Sequence, residues 1–154
     1  MPASEIEQLR RQIREAFPPV KFHGSVTTCD CEECLDLRKA LAGQRWDEVP
    51  TAFLDFTCSP VLLDAEAFQA FLPAYMLRGL DDLNDQRVVL EFTVYSLCPE
   101  QYPRNSDYVA QRAASVTPAQ VQAIRSFLLF VVSHAKNGKW FKRFVDRALD
   151  SIWR

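Results

Sequence analysis

Apolar residues recur three and four positions apart through most of this chain, the spacing that gathers them on one face of an α-helix. Ile6, Leu9, Ile13 and Phe17 form the first series, and Ser4 with Glu7 supplies the hydroxyl and carboxylate of a capping box at its start. Pro18-Pro19 ends this helix near Ala16, because proline donates no helical hydrogen bond and biases the residue before it toward extended geometry. Val20 to Thr28 is mixed in character, contains Gly24 and reads as a loop. A second helix is expected over CEECLDLRKALA, with Leu35, Leu37 and Leu41 inward and Gly43 where a left-handed cap is wanted. A connection with Trp46 near its start then lasts to Pro60, and Phe53, Leu54 and Phe56 are expected to fold beneath the domain.

Asp64 is placed to cap the next helix, with Leu63 and Phe68 spaced as a hydrophobic staple. Phe68, Phe71, Leu72, Tyr75, Met76 and Leu80 give that helix a wide apolar stripe, and Pro73 predicts a kink or break near Gln69 to Leu72. Val88 to Leu97 fits both helical and strand periodicity. Helix is favoured, since a solitary strand cannot satisfy its backbone. Pro99, Pro103, Asn105 and Ser106 mark Cys98 to Val116 as a long surface loop or a boundary. Thr117-Pro118-x-Gln120 opens another helix with N-cap, first-turn proline and capping-box glutamine together. Its expected buried face is Val121, Ile124, Phe127, Leu128, Val131 and Ala135, and Asn137-Gly138 ends it. The last helix sets Trp140, Phe141, Phe144, Val145, Leu149, Ile152 and Trp153 against Lys142, Arg143, Asp146 and Arg147.

These elements predict a mostly α protein: one compact domain over residues 1–154, a bundle of about five to six helices with a proline-interrupted central helix. Residues 139–154 form an amphipathic C-terminal helix, either docked on the core or an add-on that meets a partner or a membrane surface. The 48% hydrophobic and 25% charged composition is that of a globular chain. No apolar run approaches the roughly 20 residues of a membrane span, and the charged N-terminus does not read as a signal peptide, so a cytoplasmic location is expected.

A net charge of −2 argues against nucleic acid as a partner. The charge is uneven, however: Lys136 to Arg154 carries six Lys or Arg against two Asp, leaving the remainder distinctly acidic. A solvated helix face accounts for such a tail.

The AEAFQAFLPAYMLRGL run at Ala65 to Leu80 resembles a family of small uncharacterised bacterial proteins, a domain of unknown function with an Ala-Phe-x-x-Phe/Tyr-Leu-Pro-Ala-Tyr core. Ala67, Phe68, Phe71, Leu72, Pro73, Ala74 and Tyr75 match that core. The likeness extends upstream through Cys31, Glu33, Cys34, Gly43 and Trp46, and downstream through VVLEFTVYSL to Thr117-Pro118-Ala119-Gln120, with no counterpart placed after Gly138. The resemblance implies a mostly helical fold and a bacterial cytosolic setting, and transfers no catalytic residues.

Chemistry gathers in one place, CDCEECLDL, where Cys29, Cys31 and Cys34 lie close downstream of His23. Cys-x-x-Cys spacing lets two thiolates reach one zinc ion, and His23 with Cys29 could complete a Cys3His set, although no second Cys-x-x-Cys or His pair exists. A redox reading uses the helix N-terminus to lower the pKa of Cys31 or Cys34, which Asp30, Glu32 and Glu33 oppose. Unreactive thiols are the third reading. Five cysteines, an odd number, argue against a disulfide framework. Cys58, Cys98 and His134 stand apart.

No Gly-rich phosphate loop, Gly-x-Ser-x-Gly elbow or His-Glu-x-x-His motif occurs, so no catalytic residues are assigned. The first expectation is a noncatalytic protein-binding module without a cofactor, for instance an immunity protein that neutralises a cognate toxin. Asp30, Glu32, Glu33 and Asp36, with Asp81, Asp82 and Asp85, are its candidate acidic surfaces, because acidic patches steer onto basic sites. Trp140 and Trp153 are an alternative docking surface. The rival expectation is a small zinc-binding or thiol-based protein using His23, Cys29, Cys31 and Cys34.

Overall fold

A computed structural model describes residues 4–56, 59–84, 88–98 and 106–154. Cys58, Asp85, Pro99, Pro103, Asn105 and the Phe56 side chain lie outside the described residues. Eight α-helices run in order among those described: α1 Glu5–Ala16, α2 Glu32–Leu41, α3 Thr51–Phe56, α4 Ala65–Leu80, α5 Val89–Leu97, α6 Ser106–Ser115, α7 Pro118–His134 and α8 Gly138–Ser151. No strand occurs among the described residues, and the ambiguous stretch is helical as α5.

The count exceeds the expected five to six because two stretches read as connection and loop are helical. The short α3 occupies part of the connection after Trp46, and α6 fills most of the segment after Pro103. Val109 and Arg112 of α6 are buried, with Ala113 and Val116 packed partly against the core, which is a helical spacing that the arginine disguises.

α4 lies at the centre. Ala67, Phe68, Phe71 to Leu77, Gly79 and Leu80 are buried, so apolar surface surrounds the helix instead of forming a stripe. It packs against α1, α3, α5 and α6, while α7 bridges α1 and α8. The helix runs through Pro73 as one element, so of the kink or break expected there it shows no break. Proline removes one backbone bond, and packing on all sides holds the turns on either side of it. At the other end α5 comes close enough that a Cβ on Gly79 would sit 3.2 Å from Leu90 Cδ1 and 3.4 Å from Leu90 Cα.

Local signals set most boundaries. Ser4 Oγ accepts from Glu7 N at 3.3 Å, and Thr117 with Gln120 forms the reciprocal capping box. Gly43 takes φ +73°, the left-handed conformation expected after α2. Asp64 occupies its N-cap without a side-chain cap bond, because its Oδ2 accepts from Ser25 Oγ at 2.7 Å. Gly138 begins α8 where a Cβ would lie 2.2 Å from the Val132 carbonyl oxygen, so the α7–α8 corner admits no side chain.

α8 packs on α7 and α5 and is part of the fold. Phe141, Val145, Ala148, Leu149 and Trp153 are buried, and Trp153 Nε1 donates to Leu97 O at 2.7 Å. Arg125 reaches across from α7 to the carbonyls of Leu149 and Trp153. The interior also holds Arg112, 1% exposed, whose guanidinium donates to Ser96 O, Val61 O and Leu63 O and lies 4.6 Å from the Phe68 ring centre. Thr93 and Ser96 satisfy their buried hydroxyls on the carbonyls of Val89 and Thr93.

Candidate metal centre

α2 lies outside the set of closest helix pairings. Its inward residues are Cys34, Leu37 and Leu41, a regular helical series, whereas Leu35, expected inside, is 49% exposed. Cys34 takes the core position that Leu35 was expected to fill. That anchors one thiol beneath the helix start and leaves Cys31, the N-cap, and Cys29, in the preceding loop, exposed above it.

The three sulfurs lie within 4.8 Å of one another. A tetrahedral zinc with Zn–S bonds of about 2.3 Å holds its sulfurs about 3.8 Å apart, so a small contraction reaches coordination distance. His23 is exposed and is not part of the cluster. Among the described residues, no carboxylate or imidazole joins the three sulfurs at that range. The chain brings together three of the four ligands proposed from sequence.

Arg38, one turn before the end of α2, holds the loop in place. Its Nη2 donates to Cys29 O at 2.7 Å, its Nη1 to Asp30 Oδ1 at 2.9 Å, and its Nε to Thr27 O and Oγ1 at 3.2 and 3.0 Å. Val26 and Thr27 are buried, and Val26 O accepts from Asp64 N at 2.9 Å. The loop carrying Cys29 is thereby tied to α2 and to the start of α4. Sequence reasoning missed Arg38, since a basic residue in the last turn of a helix reads as a partner for the helix dipole.

The thiols differ in their acidity. Cys31 is held below the usual thiol range, foremost by the backbone amide of Cys34 aimed at its sulfur, then by the Cys29 and Cys34 side chains. No cap hydrogen bond of regular geometry forms there. Burial pushes Cys34 up to about 12, with its two neighbouring thiols adding to the shift. Cys31 N donates to Cys29 Sγ at 3.3 Å. The arrangement sets one exposed sulfur of raised acidity beside a buried one whose proton a cation would have to displace.

The proposed acidic surfaces divide. Asp30, Glu32 and Asp36 are exposed and Glu33 half-buried around the thiols. Asp81, by contrast, is bound by Arg10 at 2.6 Å and Arg78 at 3.4 Å, and Asp82 beside it is half-buried. Trp153 is buried, which removes it as a docking residue; Trp140 is 50% exposed. Two open grooves of about 550 and 480 Å³ flank Trp46, but Arg10 and Arg78 in the larger are engaged with Asp81 and Asp55. No helix among the described residues is long and apolar enough to cross a membrane.

No curated protein and no solved structure matches the chain. A family model does, and it extends past the sequence resemblance to include α8: by its match to residues 5–154, the chain belongs to the Family of unknown function (DUF6714).

Proposed function

We propose that the protein binds a zinc ion through Cys29, Cys31 and Cys34, with the fourth coordination position left to water or to a donor from another molecule. The approach of the three sulfurs to within 4.8 Å carries this reading. Three protein ligands and an open position are the pattern of zinc sites that exchange ligands, whereas structural sites close all four. The acidic residues Glu32, Glu33 and Asp36 favour a dication over the bare thiolates. Arg38 supports the site from behind by fixing the Cys29 carbonyl and Asp30.

Native mass spectrometry of the full chain, purified without chelator, tests it. The expected result is one zinc per chain, lost in Cys31→Ser with the melting temperature of the metal-free protein unchanged. A wild-type chain that stays bare in excess zinc would sink the reading.

A second reading, a partner-binding module, is favoured by a separate observation. Trp140 stands half-exposed on α8, with its Nε1 on Tyr95 OH at 3.3 Å and Arg143 stacked 4.7 Å from its ring centre. Trp and Arg are the residues most enriched where binding energy concentrates, and the basic tail suits an acidic partner protein. An immunity protein facing a basic toxin site would instead use Asp30, Glu32, Glu33 and Asp36. Trp140→Ala combined with Arg143→Ala should release a co-purifying protein while α8 stays docked; undiminished association would exclude this surface.

A further inference from the structure

We propose that a small neutral hydroperoxide converts Cys31 and Cys34 into a disulfide, and that this oxidation ejects the metal ion. The proposal rests on the zinc reading for its second half only.

Three features of the site lead there. Cys31 is exposed, and its sulfur lies within 4.8 Å of that of Cys34, one helical turn further on. The Cys31 backbone is extended, φ −66° and ψ 160°, so the residue stands off the helix above Cys34 and does not continue the α2 spiral. Cys29 is committed differently, its sulfur accepting the Cys31 N–H and its carbonyl held by Arg38. Cys31 and Cys34 are therefore the natural pair. The acids at Glu32, Glu33 and Asp36 choose the oxidant: they repel an anionic disulfide such as that of glutathione and leave an uncharged peroxide free to approach.

The chemistry balances. The Cys31 thiolate attacks the terminal oxygen of the hydroperoxide, an S–O bond forms, the O–O bond breaks, and the departing hydroxide (alkoxide from an organic hydroperoxide) takes a proton from solvent. The Cys34 sulfur then attacks the sulfenic sulfur; the S–S bond forms, the S–O bond breaks, and hydroxide leaves as water with the Cys34 proton. Two electrons pass from the thiol pair to the peroxide. Two of three metal ligands are consumed, and Cys29 alone cannot retain the ion.

Metal-free full-length protein is treated with hydrogen peroxide or with glutathione disulfide, then digested and mapped by mass spectrometry. The expected product is a Cys31–Cys34 crosslink, formed faster with peroxide, reversed by dithiothreitol, abolished in Cys31→Ser and retained in Cys29→Ser. Sulfinic acid at Cys31 without a crosslink, or a crosslink through Cys29, overturns the pairing. Faster reaction with glutathione disulfide overturns the oxidant class. Zinc-loaded protein is then oxidised with a chromogenic chelator present, where one zinc released per crosslink is expected and zinc retained on crosslinked chain overturns ejection. A chain that forms the crosslink but never binds zinc overturns the zinc reading and the ejection, and leaves the dithiol chemistry standing.

Discussion

Cys98 and Cys34 are both fully buried thiols, and burial pushes each up to about 12, yet they belong to regions built in opposite ways. Cys98 caps α5 in the interior, where desolvation is the whole cause of its shift. Around it the polar groups are satisfied within the core: Thr93 and Ser96 on backbone carbonyls, Arg112 on three carbonyls and an aromatic face. Cys34 is buried at the edge of the molecule, with two exposed thiols above it contributing to its shift. Among the described residues no group of metal-binding side chains includes Cys98, whereas a proton on Cys34 competes with any cation that Cys29 and Cys31 hold. The same acidity therefore marks an inert group in one region and a displaceable proton in the other.

Substitutions in the two regions should separate stability from chemistry. The largest loss is expected for Arg112→Leu, which strips the donors from three interior carbonyls and leaves a void beside Phe68. Denaturant unfolding should show a loss of about 3 kcal/mol with zinc stoichiometry intact. Gly138→Ala follows, since its methyl would meet the Val132 carbonyl at the α7–α8 corner. Overpacking of that kind costs about 1 to 3 kcal/mol, read in the same assay. Arg38→Ala comes last in stability, with a shift of less than about 1 kcal/mol for a half-exposed side chain. Its effect should appear instead in a zinc competition titration, as a loss of about 10- to 100-fold in affinity. Acidity gives a further distinction. Because Cys34 binds metal only after losing its proton, zinc affinity should fall about tenfold or more per unit of pH lowered below neutrality. A titration that is flat across that range would mean the buried thiol is not a ligand.

Much of the fold was legible because its signals are local. Ser4, Thr117-Pro118 and Gly43 act through hydrogen bonds and dihedral preferences within a few residues, and they appear where the sequence puts them. The misses involve partners far along the chain. Arg112 looks like a surface residue until Val61, Leu63 and Ser96 converge on it, and with it α6 looked like a loop. Pro73 reads as a kink or a break, and only the packing around α4 shows that the helix is not broken there. Asp81 reads as a free acid until Arg10, 71 positions away, reaches it. At the thiol cluster the spacing showed which residues share a helix start, and the exchange of Leu35 for Cys34 on the buried face was the missing step. Treating cysteine as an apolar residue would have found it, because the 34, 37, 41 series is regular only with sulfur counted as part of the core.

The bond from Trp153 to Leu97 bears on how the chain reaches this state during synthesis. Helices α4 and α5 are adjacent in sequence and can pair as soon as both have left the ribosome. The Leu97 carbonyl and the pocket for the last indole must wait until 56 further residues have been made. At about 5 to 20 residues per second, that interval lasts several seconds. Through it one apolar flank of α5 stands uncovered, which makes the half-made chain a better client for a chaperone than the finished protein.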